Sequence, residues 1–180
     1  MNGYALFDTA IGGCGIAWTA RGVAGVQLPE ADEEKTRARV RRRFAQSLET
    51  PPPAAVRRAI DGIVALLRGQ ATDLSAITLD MQGVPPFHRR VYAVARGIAP
   101  GQTLTYGDIA TRLGDPGAAR AVGQALGRNP FAIIVPCHRV LAAHGHAGGF
   151  SAPGGAVTKL RLLSIEGVQA PGTSTLFDAA

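Results

Sequence analysis

The chain has 180 residues, enough for one large domain or two small ones, and its 46% hydrophobic composition is that of an ordinary globular protein. Two cysteines exclude a disulfide framework, and no apolar run reaches the length of a membrane span. The formal net charge is +6, of which residues 81–180 carry +5 and residues 1–80 carry +1. A basic half is typical of a protein that binds a phosphate backbone, although a soluble basic domain has the same charge.

The first half predicts short strands followed by helices. Glycine-rich residues 3–28 contain three short apolar pieces and predict a meander. Residues 31–48 predict a charged helix whose arginines form a solvated face. After Pro51-Pro52-Pro53, apolar residues at helical spacing predict a second helix over residues 56–67. Residues 77–81 predict a strand that returns to the first sheet.

The second half predicts a series of helices. Residues 87–98 form one apolar helical stripe, and Thr105 with Asp108 predicts a capping box at the start of the next helix. That helix stops at Gly114, and Asp115 is expected to cap the following helix. Two short helices joined by a tight turn are typical of a helix-turn-helix motif, although two ordinary packed helices share this spacing.

The second of these helices has one face of small residues, because Ala119, Gly123 and Gly127 recur every four positions. Glycine inside a helix costs about 1 kcal/mol relative to alanine, so a compensating role is expected. The face either packs closely on another helix or enters a nucleic-acid groove with Arg120 as the inserted side chain.

The stretch Ile133-Ile134-Val135-Pro136-Cys137-His138-Arg139-Val140-Leu141 is the most informative part of the chain. The apolar run predicts a buried strand that ends at a proline corner and holds the Cys137 sulfur at the edge of a core. Thiolate is the nucleophilic form of cysteine, and neighbouring imidazole or positive charge lowers the thiol pKa. We therefore predict a positioned, activated sulfur at residue 137.

A loop over residues 142–151 and a last helix ending near Glu166 follow the cysteine. A carboxylate is disfavoured at a helix C-terminus by up to about 1 kcal/mol, so Glu166 is a candidate for another task, such as orienting an imidazole. A tolerated surface glutamate would be equally compatible with the sequence. The tail from residue 168 onward is expected to be mobile.

Several motifs in this order resemble the O6-alkylguanine-DNA alkyltransferases, also called methylated-DNA–protein-cysteine methyltransferases. The resemblance extends from about residue 86 to residue 167 and is weak before that. It is carried by five stretches: Leu104-Thr105-Tyr106-Gly107-Asp108-Ile109-Ala110, Gly117-Ala118-Ala119-Arg120-Ala121-Val122-Gly123, Gly127-Arg128-Asn129-Pro130, Pro136-Cys137-His138-Arg139-Val140, and the final helix with Lys159, Leu162-Leu163 and Glu166-Gly167.

The resemblance implies an α+β fold with a ribonuclease-H-like N-terminal domain over residues 1–81. It further implies a linker over residues 82–86 and a mostly helical, winged-helix-like domain with a helix-turn-helix over residues 87–170. A flexible tail over residues 171–180 completes the expected organisation. We expect a cytoplasmic monomer, without a secretory signal, that associates with the nucleoid when bound to DNA.

The resemblance also implies a direct DNA repair reaction. The Cys137 thiolate takes the alkyl group from guanine O6 in a single, irreversible turnover that needs no cofactor and no metal. His138 takes the thiol proton through a water, Glu166 holds the imidazole, and Asn129 braces the turn by hydrogen bonds to backbone.

The implied partner is double-stranded DNA containing O6-alkylguanine, and no membrane; whether O4-alkylthymine is also repaired is left open by the sequence. The damaged base leaves the stack, the recognition helix enters the minor groove, and Arg120 fills the vacated space. Besides Arg120, the residues expected to contact DNA are Thr105, Ala118, Ala119, Gly123 and Arg128.

The implied guanine site contains Tyr106, which crowds the target phosphate, and the carbonyl of Val140, which accepts from the exocyclic amine. The Ser151 backbone N–H donates toward O6, and Lys159 belongs to the same site. Phe150 stands where family members usually have tyrosine, so ring stacking is retained and a hydroxyl is lost.

Three other interpretations fit parts of the sequence. A sensor that binds alkylated DNA without repairing it resembles this family but lacks the cysteine, which is present here. A zinc site from Cys137, His138, His144 and His146 has suitable ligands but poor spacing. A Cys-His hydrolase would need an oxyanion hole and a peptide cleft, for which the sequence gives no signature.

Overall fold

A computed structural model describes residues 2–168 and begins with a four-stranded sheet. Its strands are β1 (Gly3–Thr9), β2 (Gly12–Thr19), β3 (Gly22–Gln27) and β4 (Leu48–Glu49). The sheet order is β3-β2-β1-β4, with β1, β2 and β3 antiparallel and β4 parallel to β1. The predicted meander is confirmed, and the expected mobile tail over residues 171–180 lies outside the described residues.

Two helices accompany this sheet, α1 (Glu33–Arg43) and α2 (Ala54–Leu67). α1 is shorter than the predicted helix over residues 31–48, because Leu48 leaves the helix to pair with Gly3 of β1. The Asp32 side chain accepts from the Lys35 backbone N–H and sets the start of α1. α2 begins and ends close to its predicted bounds and buries its apolar face against the sheet.

The strand predicted over residues 77–81 is reduced to one bridge between Leu79 and Val23. Two backbone hydrogen bonds, Val23 N to Thr78 O and Asp80 N to Val23 O, hold this segment beside β3. The Asp80 carboxylate also accepts from Arg21 Nε at 2.9 Å and from Arg21 Nη2 at 3.1 Å. The prediction that this segment returns to the first sheet is therefore confirmed, and the prediction that it forms a strand is wrong.

The described part of the second half contains four α-helices and a small parallel pair of strands. They are α3 (Pro86–Arg96), β5 (Leu104–Thr105), α4 (Tyr106–Arg112), α5 (Ala119–Gly127), β6 (Val140–Leu141) and α6 (Gly155–Ile165). The fold is thus mixed α+β with a mainly helical second half, as predicted. No helix within residues 2–168 combines the length and apolar character required to cross a bilayer.

The helix-turn-helix region is formed by α4 and α5. The capping box of Thr105 and Asp108 is present in full, as predicted. The predicted cap at Asp115 is wrong, because Pro116–Ala118 form a 3₁₀ turn and the Asp115 side chain makes no capping hydrogen bond. α5 therefore begins only at Ala119, and the connection from α4 is longer than the sequence indicated.

The strand predicted before Cys137 is also wrong. Residues 132–135 form a turn in which Ile133 has a φ of 72°. The turn is closed by the hydrogen bond from Val135 N to Phe131 O, and Phe131 bridges Val26 of β3. The apolar side chains here suit a buried strand, but a compact turn buries them instead.

The described residues form two large hydrophobic clusters and a small third one of Tyr4, Ala17 and Val40. The first consists of sheet and α2 residues together with Ile133, Ile134 and Leu162. The second is built around α3, α4 and α5 and reaches Cys137. The turn before Cys137 therefore anchors its side chains in the core of the first half, which fixes the cysteine relative to the sheet.

Candidate active site

Cys137 opens a 3₁₀ turn, Cys137–Arg139, between the buried turn and β6. Its side chain is partly exposed and lines two separate cavities. The helix-side cavity has a volume of about 600 Å³ and the sheet-side cavity about 270 Å³. Cys137 therefore borders both cavities.

The helix-side cavity lies between α5 and the loop that precedes α6. Its lining consists of Tyr106, Ala119, Arg120, Gly123, Gln124, Leu126, Gly127, Cys137, Gly149, Phe150 and Ser151. The sheet-side cavity lies between β3, α1 and the same loop. Its lining includes Val26, Gln27, Leu28, Arg39, Arg43, Arg128, Asn129, Ala132, Cys137 and Phe150 to Pro153.

Asn129 joins the two ends of the turn that carries the cysteine. Its Nδ2 donates to Val135 O at 2.9 Å, and its Oδ1 accepts from Phe131 N at 2.9 Å. The single side-chain amide of Asn129 thus satisfies one backbone carbonyl and one backbone N–H that strand pairing would otherwise have satisfied. A hydrogen bond with Asn129 also acts on the Cys137 thiol.

His138, Arg139 and Glu166 form a buried cluster behind the cysteine. His138 Nε2 lies 2.9 Å from Glu166 Oε1. Arg139 donates through Nε to Glu166 Oε2 and through Nη2 to Oε1, each at 2.8 Å. Glu166 is the C-cap residue of α6, where the helix dipole disfavours a carboxylate. Its two partners from the turn, His138 and Arg139, offset this unfavourable position.

The charge of Glu166 determines which nitrogen of His138 carries the proton. Burial raises the pKa of the Glu166 carboxyl, but hydrogen bonds with His138 and Arg139 outweigh it and lower that pKa to about 2. An ionised carboxylate only accepts, so His138 donates from Nε2 and its Nδ1 is left as the acceptor. Burial lowers the pKa of the His138 imidazole, which is therefore neutral at physiological pH.

The Cys137 thiol does not have the lowered pKa that the sequence predicted. Burial raises the pKa of this thiol, and the hydrogen bond with Asn129 and the charge of Lys159 oppose that effect without overcoming it. The resting sulfur is therefore protonated near neutral pH. A proton acceptor is consequently needed when the thiol reacts, and the free Nδ1 of His138 is the neighbouring candidate.

Lys159 is fully buried beneath the same site. Its Nζ donates to Val140 O at 2.6 Å and lies 5.7 Å from the centre of the Tyr106 ring. Burial lowers the pKa of this ammonium to about 8. The Val140 carbonyl predicted to face guanine thus already accepts one hydrogen bond and retains a second lone pair.

The small-residue face of α5 is open. A Cβ placed on Gly127 would meet nothing within 4 Å in the described residues, and one on Gly123 would meet only the Tyr106 ring at 3.9 Å. The alternative that this face packs closely on another helix is therefore wrong. Ala119 and Arg120 border the same opening, with Arg120 exposed.

The remaining predicted contact residues lie around these cavities. Phe150 and Ser151 line both of them, while Arg128 is exposed at the end of α5 and lines the sheet-side cavity. The Thr105 hydroxyl is occupied in the capping box, and Ala118 is half-buried before α5. Their roles stay predictions.

Arg139 is a site residue that the sequence analysis did not select. It is 5% exposed, and it also donates through Nη1 to the carbonyl of Ile98. A charged residue inside an otherwise apolar stretch requires a buried partner, and Glu166 was the carboxylate in need of one.

Within residues 2–168, no three His, Cys, Asp or Glu side chains are grouped as metal ligands.

Comparison with known proteins identifies the family. Residues 86–168 match the family model described as 6-O-methylguanine DNA methyltransferase, DNA binding domain. A methylated-DNA–protein-cysteine methyltransferase from Mycobacterium bovis is 38% identical over 178 residues, which cover 99% of this chain and 100% of that protein. The chain belongs to the methylated-DNA–protein-cysteine methyltransferase family.

Solved structures of similar proteins extend over both halves of the chain. The crystal structure of Mycobacterium tuberculosis OGT in complex with DNA has a TM-score of 0.72 and 36% identity, and the match covers 94% of this chain and 95% of that one. The O6-methylguanine-DNA methyltransferase of Pyrococcus kodakaraensis has a TM-score of 0.71 and 29% identity, with 92% and 99% covered. This methyltransferase family member therefore shares its mixed α+β fold with both.

Proposed function

We propose that this protein repairs DNA by moving the alkyl group of O6-alkylguanine onto Cys137, once per molecule and irreversibly. The observation that carries the proposal is the position of the Cys137 sulfur. It faces the cavity beside the open face of α5 and is followed by a neutral His138 that Glu166 holds. Membership of the family and the relative crystallised with DNA support the same conclusion.

The proposed reaction begins with removal of the thiol proton. His138 Nδ1 takes it through a water, and the imidazolium that forms is stabilised by the ionised Glu166. The sulfur then forms a bond to the alkyl carbon, and the C–O6 bond breaks with its electron pair on guanine. Guanine takes up one proton, which balances the proton that the thiol gave to His138. Asn129 keeps the turn fixed during these steps, and Ser151 N–H donates toward O6.

We infer that the helix-side cavity receives the damaged base after it has rotated out of the duplex. α5 would enter the minor groove, and Arg120 would occupy the space that the base vacates. Tyr106 and Phe150 border this cavity and offer ring surfaces for the base. The charge of the second half, +5 over residues 81–180, supports phosphate contacts that depend on salt and little on sequence.

The proposal extends to the finer organisation of the chain. We infer a ribonuclease-H-like domain over residues 1–81, a linker over residues 82–86 and a winged-helix-like alkyltransferase domain over residues 87–170. The protein would act as a monomer in the cytoplasm and associate with the nucleoid through DNA. O4-alkylthymine is a second substrate to be tested with the same assay.

The decisive experiment compares Cys137→Ser with the intact protein and with Cys14→Ser, because Cys14 is the other, fully buried cysteine. Each protein is mixed with a duplex containing O6-methylguanine and analysed by peptide mass spectrometry. We expect one added methyl on the Cys137 peptide, no uptake by Cys137→Ser, and DNA binding by all three. Repeated turnover, or uptake without Cys137, would overturn the proposal; binding without any uptake would identify a sensor.

A further inference from the structure

We propose that Gly25 of β3 is a positioning residue for Cys137, although it lies in the first half of the chain and acts only through other residues. This inference rests on the proposed function and names a residue that the reaction would need outside the helical half. The observation behind it is that the edge of the first sheet is hydrogen-bonded to the cysteine turn, residues 129–137. At Gly25 the two segments meet with no space for a side chain.

The contact between β3 and the cysteine turn is made by backbone groups. Val26 N donates to Pro130 O at 2.9 Å, and Val26 forms a parallel bridge with Phe131. The carbonyl of Val26 in turn accepts from Arg43 Nη1 at 3.3 Å. Val26 is thus held by α1 and itself holds the start of the cysteine turn, so the position of Pro130 depends on β3.

Further hydrogen bonds connect Pro130 to the cysteine. Pro130 lies between Asn129 and Phe131, which are joined by the hydrogen bond from Phe131 N to Asn129 Oδ1. Phe131 O accepts from Val135 N at 2.8 Å, and Val135 O accepts from Cys137 N at 2.8 Å. Because the proline ring fixes φ, we expect a displacement of the Pro130 carbonyl to move the residues on both sides of it.

A side chain at residue 25 would collide with the cysteine turn. A Cβ placed on Gly25 would lie 2.8 Å from Pro130 O and 2.5 Å from Cζ of Phe44. Both distances are shorter than real Cβ contacts, so the neighbouring atoms would have to move. The Phe44 ring is the end of a side chain and can shift, whereas Pro130 O belongs to the backbone and moves only with the turn. Glycine at residue 25 therefore allows the turn to keep its place.

A displaced turn would change two properties of the Cys137 sulfur. Burial raises the pKa of the thiol and the hydrogen bond with Asn129 opposes that effect, so loss of this bond would raise the pKa further. The distance from the sulfur to a base in the helix-side cavity would also change, and a misplacement of about 1 Å can slow a reaction about 100-fold. Gly25 does not line that cavity, so it influences the reaction only through the turn.

The test compares Gly25→Ala with the wild type and with Gly15→Ala. Gly15 is a buried glycine of β2, and the nearest neighbours of its Cβ would be side-chain atoms of Val40, Leu6 and Gln27. Both variants are therefore expected to unfold at lower urea concentration than the wild type. Only Gly25→Ala introduces a contact with the cysteine turn, which makes Gly15→Ala the matched control.

Three properties are measured for each protein: single-turnover transfer from an O6-methylguanine duplex, affinity for that duplex, and the pH profile of iodoacetamide labelling of Cys137. For Gly25→Ala we expect transfer to slow about tenfold to 100-fold and the labelling profile to move to higher pH. Duplex affinity should be unchanged, because α4 and α5 are not altered. For Gly15→Ala we expect wild-type values of all three properties.

A second variant separates the two collisions at residue 25. Phe44→Leu removes the ring atom that the new methyl group would meet and leaves Pro130 in place. In combination with Gly25→Ala, we expect it to restore part of the resistance to urea and none of the transfer rate. If Gly25→Ala alone does not fold, the double variant is compared with Phe44→Leu in the same assays.

Recovery of transfer in the double variant would overturn the proposal, because the packing of α1 would then explain the effect. Wild-type transfer and labelling in Gly25→Ala, or an equal loss in Gly15→Ala, would overturn it as well. Labelling by iodoacetamide needs no DNA. Absence of methyl transfer by the wild-type protein would therefore refute the proposed function, while the labelling profiles would still test the role of Gly25.

Discussion

His138 Nε2 lies 2.9 Å from Glu166 Oε1, and the two side chains are only 2% and 3% exposed. Arg139 shares the same carboxylate, so one buried anion serves an imidazole and a guanidinium together. This arrangement fixes the proton on Nε2 and keeps Nδ1 available, but it also makes each partner costly to remove. Breaking a buried ion pair from one side leaves an uncompensated charge and costs about 3–5 kcal/mol.

Glu166→Gln is therefore expected to impair both stability and reaction. The free energy of unfolding should fall by about 3 kcal/mol because Arg139 loses its anion, and alkyl transfer should slow about 100-fold or more because the imidazolium loses its support. Urea unfolding and single-turnover transfer measure the two effects. The double variant Glu166→Gln with Arg139→Gln separates them: stability should recover in part, while transfer stays slow. Recovery of the transfer rate would contradict the role given to Glu166.

The rate of alkyl transfer should be level from neutrality upward until the thiol itself begins to titrate. Burial raises the pKa of the Cys137 thiol and lowers that of the His138 imidazole, so a neutral base and a protonated thiol coexist across this range. That pair is the state which the proposed proton transfer requires. Single-turnover rates from pH 6.5 to 9, measured with saturating protein, test this expectation. A rate that increases tenfold per pH unit would show that thiolate formed by titration attacks without proton transfer to His138.

Acid should destabilise the protein through two carboxylates. Burial raises the pKa of Glu166, but hydrogen bonds with His138 and Arg139 lower it to about 2 overall, and hydrogen bonds from Arg21 lower that of Asp80 to about 2. The unfolded chain binds these protons at higher pH, so the stability that both groups provide is complete above about pH 5 and is lost as the pH falls toward 2.

Asp80→Asn isolates the part of this effect that belongs to Asp80. At pH 7 the variant should be about 1 kcal/mol less stable, a value that allows for screening because Arg21 is largely exposed. The difference between the variant and the wild type should shrink below about pH 5 and disappear only below about pH 2. Urea unfolding across this pH range provides the measurement, and Asp61→Asn on the exposed face of α2 serves as the control. A constant difference at all pH values would exclude the ionic origin.

Much of the fold was predictable because it depends on local signals. The capping box of Thr105 and Asp108 and the apolar face of α2 are both determined within a few residues. The segment before Cys137 was not predictable in this way. Its apolar residues suit a strand, and only the long-range contact between Phe131 and Val26 and the side chain of Asn129 select a turn.

The candidate site likewise combines features that the sequence predicts with features that depend on long-range contacts. The family motifs identified Cys137, His138 and Glu166 as candidate site residues. The pKa of the Cys137 thiol, however, depends on its burial, which a sequence motif does not specify. Arg139 and Arg43 reach the site through contacts with residues 27 and 17 positions away, respectively. Such contacts become visible only when the chain is folded, although an arginine in an apolar stretch was a usable signal for Arg139.

Asn129 should be essential for the geometry of the turn. Asn129→Ala removes hydrogen bonds to Val135 O and from Phe131 N, which should lower the free energy of unfolding by about 2 kcal/mol. Asn129→Asp keeps the acceptor for Phe131 N but places a negative charge beside Cys137, so it should raise the thiol pKa further. The rate at which iodoacetamide labels Cys137, measured across pH, gives the thiol pKa in each variant and distinguishes Asn129→Ala from Asn129→Asp. An unchanged titration in Asn129→Asp would show that residue 129 does not act on the sulfur.

Gly123 should tolerate a methyl group but not a large side chain. Gly123→Ala places a Cβ at 3.9 Å from the Tyr106 ring, an ordinary contact, and should stabilise α5 by up to about 1 kcal/mol. Gly123→Leu should keep that helical gain but project into the helix-side cavity, where the base is proposed to bind. Thermal unfolding and repair of an O6-methylguanine duplex are measured on both variants, with iodoacetamide labelling of Cys137 as the control. We expect the leucine variant to remain folded, to be labelled normally and to lose repair about 100-fold, as expected when the reacting atoms are misplaced. Repair at the wild-type rate would mean that the base reaches Cys137 by another route.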